Sequence, residues 1–274
     1  MSDELLRICA AELFYEVSPQ ISPDALCAEL QKRCGNVDKI KTGEDAFLFR
    51  CWDFSSEFND ATIPAHIVLA HSSDAKSQTG LEDALQQSWA WQEAREAIGR
   101  SGHSLLLTDL MASGLTRKAR LSLFHNALES VLALAPCAAI WWKAARHVVD
   151  PAVYAEARKS PGFHPLRFAV NVRLFNVSHR TPGELIMDTL GLGTLGLPDL
   201  QCHFRELDPN DIARVLYNSA YYLFDNGDVI QDGHTIQGRR SDDKWKCRHE
   251  AALAKPDRVV VDINPGSPYA AGNR

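Results

Sequence analysis

The sequence predicts an α+β fold in which a ferredoxin-like N-terminal half packs on a second α+β half with a mostly antiparallel sheet. Three observations lead to this class. The first hundred residues alternate between strand-like and helical patterns in the order β-α-β-β-α-β. A long amphipathic helical pattern follows over residues 116–135. A capped helix after Asp208 then leads into further strand-like runs.

Local signals define the elements of the first half. Ser22 and Pro23 are typical of the start of a helix, and Gly35 is typical of its end. Two apolar stripes over residues 80–98 predict one helix that is buried on more than one side. The predicted strands are residues 8–15, 46–52, 63–70 and 104–110.

The second half is predicted to combine helices with several strands. Asp150 precedes a short helix, and the helix after Asp208 ends at Gly227. In the strand over residues 168–177, apolar residues alternate with Asn171 and Arg173, which indicates one apolar and one polar face. The predicted strands are residues 138–142, 168–177, 229–236, 245–249 and 259–263.

No linker or repeat divides the chain, and the best boundary lies near residues 112–115. We therefore expect a ferredoxin-like α+β domain over residues 1–112 and a C-terminal α+β domain over residues 113–264. Residues 265–274 are rich in Pro, Gly and Ser and are expected to form a flexible tail.

Composition narrows the class of protein. The 274 residues are 45% hydrophobic and carry a net charge of −6, which is typical of a chain that buries a core and not of a disordered one. The acidic balance, with a pI of 5.9, argues against nucleic-acid binding. No apolar run is long enough for a membrane helix, and the acidic N-terminus does not resemble a secretion signal. Seven cysteines without CxxC spacing indicate reduced thiols, so we expect a cytoplasmic protein.

The glycine-rich segment Gly191–Gly196 has the GxGxxG spacing of dinucleotide-binding loops. In such loops a helix follows the glycines, whereas here Leu197 and Pro198 lead into a predicted strand. We therefore expect a turn between strands and no bound cofactor.

A zinc site is a weak alternative reading of the late cysteines and histidines. Cys202, His203, Cys247 and His249 supply the donor types that zinc prefers. Adjacent residues of a strand point to opposite faces, however, so Cys202 and His203 cannot both enter one site without distortion. Buried thiols beside a surface histidine are the expected arrangement, and no metal is predicted.

An acid–base set of Asp199, His203 and His234 is the enzyme hypothesis that the residues allow. Hydrolytic chemistry would require these side chains to converge in one pocket. No catalytic motif anchors them, and the primary expectation is that the protein has no catalytic residues.

Charge is unevenly distributed in the last third of the chain. Residues 204–234 contain six acidic and two basic residues, and residues 239–258 contain seven basic and four acidic residues. Such blocks either pair across neighbouring strands or steer a charged partner. Asp225, Asp228 and Asp232 are therefore candidate partner-binding residues. One of Trp141 and Trp142 is a second candidate, because neighbours in a strand face opposite ways.

Several segments resemble an uncharacterised bacterial family, the domain-of-unknown-function family numbered 4261. The segments run from Met187 to Leu192, from Gly196 to Phe204 and from Asp232 to Ile236, with earlier matches at Gln78–Gly80, Gln87–Trp89 and Asn171–Arg173. The resemblance implies no reaction, cofactor or catalytic residue. It is loosely associated with toxin–immunity and type VI secretion systems, which implies a protein partner.

The residues and the resemblance together favour a non-catalytic cytosolic binding protein. An immunity-type inhibitor of a basic toxin, or an accessory of a type VI secretion system, is the specific expectation. The alternative is a hydrolase-like enzyme with its site around Asp199, His203 and His234.

Overall fold

The structure is a computed structural model that describes residues 8–40, 46–59, 61–72, 74–177 and 182–272. The chain divides into two compact units, residues 1–169 and residues 170–274. Both units combine helices with a mostly antiparallel sheet, so the predicted α+β class is confirmed.

The first unit contains seven strands and five helices in its described part. The strands are β1 (Ala10–Tyr15), β2 (Val37–Ile40), β3 (Ala46–Phe58), β4 (Ala61–His71), β5 (His103–Leu110), β6 (Ala139–Trp142) and β7 (His147–Val149). The helices are α1 (Pro23–Cys34), α2 (Leu81–Gln86), α3 (Ala94–Arg100), α4 (Arg117–Leu134) and α5 (Pro151–Lys159).

The strands form one sheet in the order β2-β3-β4-β5-β1-β6-β7, and neighbouring strands run antiparallel. A ferredoxin-like sheet would instead place the first strand between the third and fourth strands of its β-α-β-β-α-β unit. Here β1 lies between β5 and β6. The predicted elements occur along the chain together with an additional strand, β2, but the ferredoxin-like strand arrangement does not occur.

The boundary expected at residues 112–113 lies inside the first unit, between β5 and α4. Strands from both sides of that point belong to the same sheet, because Glu12 of β1 pairs with Trp141 of β6. The chain returns through α4 to extend the sheet, so residues 113–169 complete this unit and do not begin another.

The single helix predicted over residues 80–98 is two short helices, α2 and α3. The Ser88 hydroxyl donates a hydrogen bond to the Ala84 carbonyl at 2.6 Å and accepts one from the Val148 amide at 2.9 Å. A serine that bonds the backbone in this way competes with the helical pattern, and α2 ends just before it.

Neither Trp141 nor Trp142 is exposed, contrary to the expectation for one of them. Trp141 packs in a cluster with residues of α2 and α3, and the Trp142 ring lies 5.3 Å from that of Phe124 on α4. Because helices cover both faces of the sheet at β6, neither indole is a surface anchor.

The second unit contains six strands and one helix in its described part. The strands are β8 (Asn171–Asn176), β9 (Leu185–Leu190), β10 (Asp199–Phe204), β11 (Thr235–Gln237), β12 (Lys244–Ala251) and β13 (Val259–Asn264). The helix is α6 (Pro209–Asn226). The sheet order is β11-β12-β13-β10-β9-β8, and only β10 and β13 pair in parallel.

Helix α6 follows from local signals. The Asp208 side chain caps it by accepting from the Asn210 amide at 2.9 Å, and Gly227 ends it with a positive φ of 91°. Its apolar face packs against β8, β9 and β10. The helix therefore packs mainly on the end of the sheet that is opposite β11.

The C-terminal segment is ordered where the structure describes it, unlike the flexible tail predicted for residues 265–274. Ala270 forms an antiparallel bridge with Phe204, and the Ala271 amide donates to the His203 carbonyl at 3.2 Å. These bonds pair the segment with the end of β10. Residues 273–274 lie outside the described residues.

Among the described helices, none combines the length and the apolar character that crossing a bilayer requires.

Candidate functional site

A cleft of about 360 Å³ lies between α6 and the edge strand β11. The lining combines apolar side chains with neutral polar ones. It consists of Val215, Asn218, Ser219, Tyr222, Val229, Ile230, His234, Thr235, Ile236, Gln237 and Gly238. Clefts of this size and composition are typical of binding sites.

Two apolar side chains at the cleft are unusually exposed. Tyr222 has 52% and Val229 has 41% of its surface accessible. A tyrosine has few rotatable bonds and one polar atom, so it binds partners at a low entropic cost. Sequence analysis missed Tyr222 because it counted only the buried face of α6.

The three acidic residues predicted to bind a partner do not line the cleft but lie close to its lining residues in the sequence. Asp225 follows Tyr222 by three residues in α6, Asp228 precedes Val229, and Asp232 lies between Ile230 and His234. The C-terminus of a helix carries partial negative charge, and α6 ends at this point. The Asp232 carboxylate accepts from the His249 amide at 2.7 Å, and its bonds to His249 lower its pKa. This end of the cleft is therefore acidic.

His234 lines the cleft, and no acidic side chain within the described ranges hydrogen-bonds it to make it a base. Its Nδ1 accepts from the Gln231 amide at 3.3 Å, which places the proton of the neutral ring on Nε2. The exposed imidazole is therefore a hydrogen-bond donor for a bound molecule.

A second candidate is a row of polar residues that crosses one face of the sheet. The register places five residues side by side on adjacent strands: Arg173, Asp188, Gln201, Asp262 and Arg248. Residues paired in this way point to the same face. All but Arg248 are buried. Buried charges are costly unless they are paired, so the partners of this row decide its role.

Asp188 is the centre of a buried ion-pair network. Arg173 binds it through two nitrogens, at 2.8 and 2.5 Å, and Arg258 donates to it at 2.8 Å. Arg258 also donates to Asp199 at 3.0 Å. The Asp188 side chain is 1% exposed and that of Arg258 is 9% exposed. The four charges balance, and their hydrogen bonds are directed at each other, which indicates a structural role.

The segment before β13 closes over this network. Arg258 donates to the carbonyls of Ala254 and Pro256, and Arg173 donates to that of Lys255 at 2.9 Å. The amide of Leu253 donates to the Gln201 side chain at 3.0 Å. The network therefore holds residues 253–256 against the polar face of the sheet.

Asp199 is the member of the network whose titration is most strongly perturbed. Burial raises its pKa from 3.8 to about 6, although Arg258 and the Leu192 amide favour its charged form. The Thr189 hydroxyl donates to it at 3.1 Å. In the folded protein Asp199 therefore takes up a proton at a pH where the unfolded chain remains ionised.

This shift predicts a stability difference that depends on pH. The contribution of Asp199 to stability is complete below pH 3.8 and is lost as the pH rises through about 6. The free energy of unfolding of the wild type, minus that of Asp199→Asn, is expected to increase by about 2 kcal/mol when the pH falls from about 7.5 to about 4.5. Urea titrations of both proteins at the two pH values measure this difference.

Asp257→Asn is the matched control, because Asp257 is 82% exposed and pairs only with Lys255 among the described residues. Its difference from the wild type should stay within a few tenths of a kcal/mol over the same range. A flat profile for Asp199→Asn would show that Asp199 titrates as an ordinary carboxyl group.

The alternative catalytic set is not brought together. Asp199 and His203 are four residues apart on β10, a separation of about 13 Å along a strand. Asp199 contacts Arg258, His203 Nε2 lies 3.2 Å from Glu184, and His234 contacts Gln231. The three side chains face different partners, so this geometry lends no support to a hydrolytic site.

The four residues of the alternative zinc site are likewise dispersed. Cys202 and Cys247 are buried on β10 and β12, which β13 separates, and both lie level with Ile263. His203 points to the other face, toward Glu184, and His249 Nδ1 lies 2.8 Å from Asp232. Within the described ranges no three His, Cys, Asp or Glu side chains are placed to hold a metal ion.

The glycine-rich segment is the predicted turn between strands. Gly191 and Gly196 have φ values of 130° and 71°, and a 3₁₀ turn between them joins β9 to β10. A strand follows the second glycine where a dinucleotide-binding loop has a helix. The positive φ values explain why glycine occupies positions 191 and 196 of this turn.

Arg173, Asp188 and Arg258 were not predicted as functional or structural centres. A signal was present, because Asp188 interrupts the apolar run Leu185–Leu190 and Asp262 interrupts Val259–Asn264. A charged residue inside an apolar strand usually has a buried partner. The identity of that partner depends on the strand order, which the sequence did not reveal.

Comparison with known proteins places a family domain in this unit. Residues 188–264 match the family model described as Domain of unknown function (DUF4261). The match includes Asp188, Asp199, Arg258, every lining residue of the cleft and the three acidic residues, but not the segments near Gln78, Gln87 and Asn171. No curated protein and no solved structure matches the chain. The resemblance is thus confirmed over residues 188–264, a segment of the second unit that is similar to the DUF4261 family.

Proposed function

We propose that the protein is a non-catalytic binding protein that binds a basic protein partner at the cleft between α6 and β11. The cleft itself carries this proposal. It offers exposed apolar surface at Tyr222 and Val229, and its one imidazole, His234, has no acidic hydrogen-bond partner among the described residues.

The charge around the cleft supports a basic partner. Asp225, Asp228 and Asp232 lie at the end where α6 terminates, and the chain as a whole has a net charge of −6. Complementary charge accelerates the encounter of two proteins and excludes partners of the wrong sign. An acidic surface of this kind also disfavours nucleic acid.

An immunity-type inhibitor of a basic toxin, or an accessory of a type VI secretion system, is the specific function that we propose. Its support is the DUF4261 match together with the acidic end of the cleft. We propose a cytoplasmic location in a bacterial cell. All seven cysteines are free thiols in the structure, which is expected of a protein in a reducing compartment.

Reversal of charge at the cleft tests the proposal. The wild-type protein, coupled to a resin, should retain a basic protein from cells that express it. Asp228→Lys and Asp232→Lys are expected to retain much less, because like charges would then oppose the encounter. With the purified partner, their association rates should fall roughly tenfold at low salt and approach the wild-type rate at high salt.

Asp257→Lys provides the matched control, since Asp257 is an exposed acid of the same unit that lies in neither α6 nor the turn before β11. It should bind like the wild type. Asp232 also bonds His249, so thermal unfolding of each variant must show that the fold is intact. Equal retention by all four proteins, or no retained protein, would refute the proposal.

A further inference from the structure

The edge of β11 is open in the described structure. β11 is the last strand of its sheet, and β12 is its neighbour on the other side. An open edge presents backbone N–H and C=O groups that can pair with another strand.

The register shows which backbone groups face outward. The Cys247 amide donates to the His234 carbonyl at 2.8 Å, and the Gly238 amide donates to the Asp243 carbonyl at 3.4 Å. His234 and Gly238 therefore direct these groups toward β12. Bonded residues alternate along an antiparallel strand, so Ile236 also faces β12, and Thr235 and Gln237 direct their backbone groups away from it.

These outward groups lie at the cleft. Thr235, Ile236 and Gln237 form one wall of the cleft, and Asn218 and Tyr222 of α6 lie on the opposite wall. A strand added beside β11 would place every second side chain on the α6 side of the sheet, where the cleft provides space.

We propose that the second unit binds its partner by β-strand addition: an extended segment of a basic protein pairs with Thr235 and Gln237 and places an apolar side chain in the cleft. This inference rests on the proposed function and specifies its mode of binding. In such complexes the backbone bonds supply affinity, and pockets for alternate side chains supply specificity.

The acidic residues beside the cleft indicate which side chains the bound segment should carry. Asp228 lies in the turn that leads into β11, so one end of an added strand would lie near its carboxylate, whereas the Asp232 carboxylate bonds His249 of β12 on the other side of β11. A lysine or arginine at that end of the segment is expected. An apolar residue should occupy the cleft near Ile236 and Tyr222.

A phage-displayed library of random linear peptides, selected on the wild-type protein, is the probe that tests this inference. Enriched peptides should share alternating apolar residues and a basic residue at one end. Their dissociation constants, measured by fluorescence anisotropy on synthetic copies, should increase roughly tenfold or more for Gln237→Pro. Proline lacks the backbone N–H that residue 237 directs away from β12. The substitution therefore breaks no hydrogen bond between β11 and β12.

Gln237→Ala is the matched control, because it removes the side chain but keeps the backbone N–H, and it should bind within roughly threefold of the wild type. Asn218→Trp, which fills the cleft from α6, should weaken binding as strongly as Gln237→Pro. Thermal unfolding verifies that each variant folds. Equal losses for Gln237→Ala and Gln237→Pro would overturn the role of the backbone edge.

The outcomes also separate this inference from the proposed function. Suppose that Asp228→Lys no longer binds the captured basic partner, whereas Gln237→Pro and Asn218→Trp still do. This result would refute strand addition and leave the binding function intact. Absence of both a partner and enriched peptides would refute both. Sedimentation that shows a dimer of the wild type and a monomer of Gln237→Pro would identify a second copy as the occupant and overturn the proposal.

Discussion

Replacement of Asp188 by asparagine is expected to destabilise the second unit by about 3–5 kcal/mol. The change preserves the shape of the side chain but leaves two buried arginines opposite a neutral amide. Arg173 would lose both of its carboxylate bonds, at 2.8 and 2.5 Å, and Arg258 would keep only Asp199 as an anionic partner. Leaving a buried charge without its counter-ion costs far more free energy than the ion pair contributed to stability.

Hydrogen exchange of peptides from β8, β9 and β10 measures this effect. Protection factors in these strands should fall by roughly 10²–10⁴, which is the same free energy expressed as an equilibrium constant. The double variant Arg173→Met, Asp188→Leu removes both charges of one pair and should recover part of the lost protection. If Asp188→Asn alone changes protection by less than tenfold, water reaches the arginines and the network is not truly buried.

The helix ends are the features that the sequence predicted best. The side chains of Ser22, Asp150 and Asp208 each cap a helix at the position that the sequence predicted. A cap depends on residues two or three positions away, so its signal is contained in a short stretch of sequence. The same holds for Gly191 and Gly196, whose turn was predicted from the residues that follow it.

The arrangement of strands could not be predicted in the same way. Arg258 binds Asp188 and Asp199 across sequence separations of 70 and 59 residues. These contacts exist only because β13 inserts between β10 and β12. No local pattern specifies which strand inserts where, and the first unit shows the same limit in its departure from the ferredoxin-like order.

The alternation of polar and apolar residues in β8 was predicted correctly, but it did not indicate which of these side chains are exposed. Asn171 and Arg173 alternate with apolar residues, which predicted a polar face, yet both side chains are buried. Alternation identifies two faces of a strand and does not show that one of them meets water. For the cleft, the sequence indicated the acidic residues but not Tyr222 or the open edge of β11, because both depend on where α6 ends its contact with the sheet.

The first unit contains a comparable buried ion pair, and its removal is the second large effect that we expect. Arg120 of α4 donates to both carboxylate oxygens of Asp109 on β5, at 2.6 and 3.0 Å, and the Cys9 amide donates to the same group at 2.8 Å. The Arg120 and Asp109 side chains are almost entirely buried. The pair therefore links the helix to the sheet and fixes the residue that precedes β1.

Asp109→Asn should lower the free energy of unfolding of the first unit by about 3–5 kcal/mol, because the buried guanidinium loses its counter-ion. Urea unfolding followed by tryptophan fluorescence measures this change, since five of the six tryptophans lie in residues 1–169. Asp83→Asn, which removes an exposed partner of Arg146, is the control and should cost less than about 1 kcal/mol.

A further variant separates the loss of charge pairing from the loss of hydrogen bonds. In Asp109→Asn, Arg120→Met both charges are absent while the asparagine oxygen can still accept from the Cys9 amide. If the unpaired charge causes the destabilisation, the double variant should be more stable than Asp109→Asn alone by about 1–3 kcal/mol. Equal instability of the two variants would instead assign the effect to the bonds that tie α4 to β5, and the ion pair would then act through geometry and not through charge.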